Sequence, residues 1–203
     1  MLETNQNQCR RSPKLVGRQR GVAAVEFALL AVIFFTMVFA VLEVARAVYL
    51  FNTLQEVTRR AAADAANSAF DFESEAGVRR RAIFPDTEGN LVLGFPVTPD
   101  HLKIDYLSVA RGSTGTLTTQ RVSSLPSCPA ANALNCVTDP YGANCIRLVQ
   151  VRVCLPGAGD DCPRVPYESI FPFIDLSTLT LPRATTIVPA QTLGNTPGAL
   201  PCS

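Results

Sequence analysis

Gly21-Val22-Ala23-Ala24-Val25-Glu26-Phe27 opens the stretch that decides the fold. Five basic residues (Arg10, Arg11, Lys14, Arg18 and Arg20) lead into Gly21, and an uncharged run from Phe27 to Leu42 follows. Val22 to Leu42 makes roughly 31 Å of helix, enough to cross a hydrocarbon core. Glu26 is the odd residue, because a carboxylate in a segment entering lipid costs a few kcal/mol and marks a functional site by default.

Residues 1–20 are polar and basic and contain no apolar h-region. A secretory signal places its cleavage site after the apolar run, at small residues, whereas here the small residue, Gly21, precedes the run. Cleavage at that point would remove a leader and keep the hydrophobic helix. The plainer reading is an uncleaved basic flank on an ordinary anchor. In both cases, positive charge before the apolar run holds that end in the cytoplasm and sends the C-terminal bulk outward.

Glycine, four residues, then glutamate resembles the processing signature of type IV prepilins. The chain is most similar to the TadE-like pseudopilins of the tight-adherence (Tad/Flp) pilus system. The likeness is carried by Arg20-Gly21-Val22-Ala23-Ala24-Val25-Glu26-Phe27-Ala28-Leu29, by Glu43-Val44-Ala45-Arg46, and by Arg60-Ala61-Ala62-Ala63-Asp64-Ala65-Ala66. It is specific from about Gln19 to Ala66 and only general beyond.

The resemblance implies a bacterial inner-membrane subunit that is cut after Gly21 by a prepilin peptidase. It implies no catalysis and no cofactor. The expected partners are other pilins or pseudopilins, the Tad secretion machinery and membrane lipid. Gly21, Val22, Glu26 and Phe27 become the processing and assembly residues. The family role of Glu26 is a charge pair with the free amine of a neighbour's Val22; the simpler alternative is a carboxylate snorkelling to the interface. The competing function is a permanently membrane-anchored periplasmic binding or adhesive module, and N-terminal sequencing separates the two.

Between Gly21 and Gly77 the chain has neither Gly nor Pro, although it holds 12 Gly and 15 Pro in all. That permits one helix over 22–75, with 22–42 in the membrane and Gly77 as a stop. Ala47, Phe51, Leu54, Thr58, Ala61, Ala65 and Phe72 recur every three or four residues and share a stripe. It suits packing on the chain's own domain, and Ala61, Ala62, Ala63, Ala65 and Ala66 also suit close approach to other helices. Glu43 and Arg46 are expected at the outer membrane interface, with Tyr49 as an interfacial ring.

Residues 76–203 read as an exported β-rich domain. Strands are expected over Leu102–Ser108, Ile146–Leu155 and Leu176–Val188, the last interrupted at Pro182. Arg111–Thr119 reads as a hairpin or loop, Leu125–Asn144 as irregular chain, Arg79–Arg81 as a solvated loop, and the tail from Pro189 as loose unless Cys202 pins it. The fold class is therefore α+β: a long N-terminal transmembrane and amphipathic helix, then a small disulfide-bonded antiparallel sheet in pilin-like order.

The chain has seven Cys. Setting aside Cys9 in the leader leaves Cys128, Cys136, Cys145, Cys154, Cys162 and Cys202, an even set that suits disulfides in an exported domain. Six Cys allow 15 pairings. Cys154 and Cys162 flank a Gly-containing turn and are the first candidates for a local pair. No pair has the zinc CxxC spacing.

The net charge is +1, and the 18 basic and 17 acidic residues leave 13 and 16 beyond residue 21. That balance excludes the basic patch of a nucleic-acid binder. His101 is the only histidine and reads as structural. There is no GxSxG elbow or P-loop; Gly157-Ala158-Gly159 lacks the Lys-Ser/Thr that would follow. Asp139, Asn144, Asp160 and Asp161 offer oxygens but not EF-hand spacing, so calcium stays a minor alternative.

Overall fold

A computed structural model describes residues 20–83, 91, 93–157, 159, 161–171, 176 and 178–194. The chain divides into two compact units, Met1–Val41 and Leu42–Ser203. Helix α1 (Arg20–Ala65) begins in the first unit and continues into the second.

In the second unit α1 buries Leu50, Leu54, Val57, Thr58, Ala61, Ala62 and Ala65, and Ala66 just past its end is buried too. The stripe is largely as expected: Leu54, Thr58, Ala61 and Ala65 are buried, and Ala47 packs against the core. Phe51 (42% exposed) points outward, Phe72 (82% exposed) lies beyond the end of α1, and Leu50 and Val57 join the buried positions. Of Ala61, Ala62, Ala63, Ala65 and Ala66, all but Ala63 pack inside the chain's own core.

α1 stops at Ala65 rather than running to residue 75. Absence of Gly and Pro permits a helix but does not compel one. Asn67 donates from Nδ2 to the Ala63 carbonyl at 2.9 Å, and the Ser68 hydroxyl bonds Asp64 at 3.2 Å. Such side chains compete with helix continuation. The Ala66 carbonyl instead accepts the amides of Gln191 and Leu193, both at 3.1 Å.

Asp71 then caps a second helix, α2 (Phe72–Ala82), by accepting the Ser74 amide and hydroxyl. Glu73 and Glu75 sit in its first turn and Arg79–Arg81 in its last, matching the helix dipole at both ends. Gly77, expected as a stop, is therefore interior, and the arginines, expected in a loop, are helical. Arg79 pairs with Glu75 at 3.0 Å and Arg81 with Asp64 at 2.8 Å.

Four antiparallel strands form one sheet in the order β2-β1-β3-β4: β1 Leu102–Arg111, β2 Leu117–Arg121, β3 Leu148–Val153 and β4 Thr185–Pro189. Ile104 lies opposite Val151 and Tyr106 opposite Val149, so alternate residues of β1 and β3 present one apolar face to the core. The β1–β2 hairpin closes where Gly112 donates to the Thr116 carbonyl at 2.8 Å, with Gly115 at φ 79°, a conformation favouring glycine. Thr58 and Thr186 hydroxyls meet at 3.0 Å and tie α1 to β4.

Between β2 and β3, where irregular chain was expected, lies helix α3 (Pro129–Thr138). Its proline occupies the first helical turn, where a missing N–H is harmless. Asn132, buried, accepts the Ile146 amide at 2.8 Å and donates to the Ile146 carbonyl at 3.3 Å. The Cys136–Cys145 disulfide fastens the same junction.

The last strand is shorter than the expected span. Pro182 supplies no donor, and among the described residues a single bridge, Pro166 to Thr180, precedes it. Described tail residues are packed rather than loose: Leu193 is buried, and a Cβ on Gly194 would meet the Ala69 nitrogen at 2.7 Å.

Candidate functional site

In the first unit α1 is apolar and open. The best 18-residue window of this helix has a mean hydropathy of 2.6 and none of it is buried. By length and composition it is the one such helix among the described residues able to cross a membrane. Val22, Val25, Phe27, Leu29, Leu30, Val32, Ile33 and Phe34 are all more than half exposed. Its one hydroxyl, Thr36, is satisfied within the helix by the Val32 carbonyl at 2.7 Å.

Gly21, Val22, Glu26 and Phe27, the expected processing and assembly residues, all lie in helix and are exposed. A Cβ built on Gly21 meets nothing within 4 Å. Packing therefore makes no demand for glycine at this position. Among the described side chains none pairs with Glu26. Among the described residues no packing or pairing partner fixes what Gly21 and Glu26 are for.

At the start of the second unit the surroundings reverse. Glu43 is 2% exposed and Arg46 is 7% exposed. They form a buried ion pair one helical turn apart, at 3.3 Å. Tyr49, the expected interfacial ring, is 41% exposed. Tyr167 completes the cluster: its hydroxyl donates to Glu43 Oε1 at 2.6 Å, and its ring lies 5.3 Å from the Arg46 guanidinium carbon.

Arg46 also gathers backbone from two distant stretches. Its Nε donates to the Leu93 carbonyl at 3.0 Å, its Nη2 to the Phe95 carbonyl at 2.7 Å, and its Nη1 to the Glu168 carbonyl at 2.7 Å. Glu43 Oε1 accepts the Ile170 amide at 3.4 Å. Glu43 Oε2 is buried and finds no partner among the described residues. Burial, and the hydrogen bond given to Glu43, push the Tyr167 phenol up to about 12.

Such a cluster fixes position rather than performing chemistry. Its arginine is saturated by carbonyls, and its carboxylate is held by Arg46, Tyr167 and Ile170. Sequence reasoning singled out Glu43 and Arg46 but missed Tyr167 and the two loops. The available signal was the one-turn Glu–Arg spacing directly after the apolar run, an arrangement that needs a buried partner when the helix enters a core.

Other candidates resolve as structure. His101, buried, accepts the Thr98 amide on Nδ1 at 3.0 Å and closes a capping box at the turn Pro99–His101; burial lowers its pKa. Asp105 is gripped by Arg152 at 2.6 Å and Arg121 at 3.0 Å across the sheet. Among the described residues no group of three His, Cys, Asp or Glu side chains is placed to hold a metal. Asp139 Oδ1 accepts the Tyr141 amide in a turn, and Asp160 lies outside the described residues.

The cysteines are the clearest match between expectation and structure. Cys154 bonds Cys162, as the Gly-containing turn suggested, and Cys136 bonds Cys145. Cys128 is also disulfide-bonded. Cys202 and Cys9 lie outside the described residues.

Comparison with known families gives one finding: residues 21–63 match the family model described as TadE-like protein. The TadE-like resemblance drawn from the sequence holds over that segment, which points to the Tad pilus system. The match starts at Gly21 and ends within α1. No curated protein and no solved structure matches the chain.

Proposed function

We propose that this chain is a TadE-like minor pilin or pseudopilin that takes part in assembly of a Tad/Flp pilus for adhesion. It is a structural subunit rather than an enzyme. It is held in the bacterial inner membrane by Val22–Leu42, with its basic N-terminal end cytoplasmic and its disulfide-bonded domain periplasmic, and it enters an assembly with other pilins and the Tad secretion machinery.

The reading is carried by the first half of α1. It is a helix surface fit for lipid or for other apolar helices, bearing a single acid, five residues after a glycine that its own fold does not require. A glycine free of packing duty suits recognition by a prepilin peptidase. Removal of the leader creates an amine on Val22, a cation at a depth where Glu26 of a neighbouring subunit needs one. Burial of an unpaired carboxylate is penalised strongly, so the pair would fix register between helices.

N-terminal sequencing of membrane-extracted protein tests the proposal. The expected first residue is Val22. Gly21→Lys blocks maturation in cells carrying the cognate peptidase, and the longer basic form accumulates. A mature species beginning at Val22 in that variant would defeat the processing motif. An uncut wild-type chain would leave the permanently anchored periplasmic module as the better reading.

A further inference from the structure

The loops gathered at Arg46 and Glu43 carry three large apolar side chains that the domain does not bury. Leu93 is 63% exposed, Phe95 58% and Ile170 55%. Yet their backbones are fixed: the carbonyls of Leu93 and Phe95 are held by Arg46, and the amide of Ile170 by Glu43. Leu93 adopts φ 54°, a conformation uncommon outside glycine and asparagine. The fold thus spends an almost fully buried ion pair on holding apolar tips in the open.

The position of that ion pair says what the tips meet. Glu43 follows Leu42, the last residue of the apolar run, and Arg46 lies only about 6 Å further along the helix axis. Side chains anchored at this level fall where headgroups meet acyl chains, the zone favoured by large apolar and aromatic residues next to a membrane span. Glu168 sits on the same loop as Ile170 and is exposed. A carboxylate there tolerates the headgroup layer but not the hydrocarbon, which makes the contact shallow.

We propose that Leu93, Phe95 and Ile170 form an apolar foot by which the C-terminal domain rests in the lipid surface at the level of Glu43 and Arg46. The proposal rests on reading Val22–Leu42 as a membrane span. The foot orients the domain on the bilayer before any partner subunit arrives, and Arg46 is its positioning residue.

The chain contains no Trp, so single-Trp variants of the full-length protein report one site each. Phe95→Trp, Ile170→Trp, Ile33→Trp and Val137→Trp are reconstituted in vesicles whose phosphatidylcholine is brominated either near the headgroup or deep in the chain. Ile33 lies within the apolar run, and Val137, on α3, is 83% exposed. Phe95→Trp and Ile170→Trp are expected to lose most of their emission to shallow bromine and little to deep bromine. Ile33→Trp is quenched by deep bromine, and Val137→Trp by neither, only by aqueous iodide.

The foot is overturned if Ile33→Trp is quenched by bromine while Phe95→Trp and Ile170→Trp are not. Iodide access would then show free tips, and protection from both quenchers would show a second copy or another protein covering them. Ile33→Trp unquenched by either lipid overturns the membrane reading, and the foot with it.

Discussion

Glu26 and Glu43 are the same residue on the same helix, and they live in opposite worlds. Glu26 is exposed on an apolar surface, and among the described side chains nothing pairs with it. Glu43 is almost wholly buried and held by Arg46, Tyr167 and the Ile170 amide. The contrast runs through the two parts of α1. Where the chain supplies its own partners, the helix belongs to a folded domain. Where it does not, the helix surface is left for something outside the chain.

The hardest test of that contrast is Arg46→Ala. It strands a buried carboxylate and releases three carbonyls, so it should lower stability by about 3–5 kcal/mol. The readout is denaturant unfolding of the full chain in detergent, followed by near-UV signal. A loss below about 1 kcal/mol would place the pair with ordinary surface ion pairs, and the contrast would collapse.

Tyr167→Phe should cost about 1.5–3 kcal/mol, as loss of a hydrogen bond to a charged group does. It also changes the response to alkali. The phenol's folded-state value is raised from 10.0 to about 12, so the native state keeps a proton that the unfolded chain releases. The stabilisation is complete below pH 10 and disappears as pH rises toward about 12. Wild type should therefore lose stability across that window more steeply than Tyr167→Phe. Burial raises the Tyr106 phenol as well, and its share persists in both proteins.

Glu26→Ala probes the other side. It should alter the unfolding free energy by less than about 0.5 kcal/mol, as exposed substitutions do, and leave the membrane level unchanged. Recovery of partner pseudopilins in a pull-down, and pilus production, should fall. Unchanged recovery and normal piliation would leave Glu26 a snorkelling carboxylate.

The smallest effect calibrates the rest. Glu56 pairs with Arg60 at 2.6 Å and Arg59 at 3.7 Å, all three well exposed. Glu56→Ala should cost a few tenths of a kcal/mol. A loss as large as that of Arg46→Ala would show that burial does not set the energetic weight of an ion pair on this helix.

The features legible in the sequence were those with local causes. An uninterrupted apolar run reads as a lipid-compatible helix, and the alternation of Ile104, Tyr106, Val149, Val151 and Val153 reads as two strands. Cys154 and Cys162 sit close enough along the chain to be guessed as a pair. What escaped depends on contacts made across the fold. The end of α1 is set partly by Gln191 and Leu193 reaching back to Ala66. Helix α3 is held by Asn132 reading Ile146 like a neighbouring strand. The Arg46 cluster needs Tyr167, more than a hundred residues away. Most of the stripe on α1 was legible, and Phe51 was wrongly included because it counts as apolar wherever it points.

Both described disulfides are short-range, with sequence separations of 9 for Cys136–Cys145 and 8 for Cys154–Cys162. A chain emerging from a translocation channel presents both members of such a pair almost together. Each can be oxidised while the remainder of the domain is still inside the channel, before the sheet has closed on the helix. Closing so small a ring removes roughly 2–3 kcal/mol of chain freedom from the unfolded ensemble. With the domain exported as proposed, these are staples whose correct pairing is a matter of arrival time rather than of completed folding.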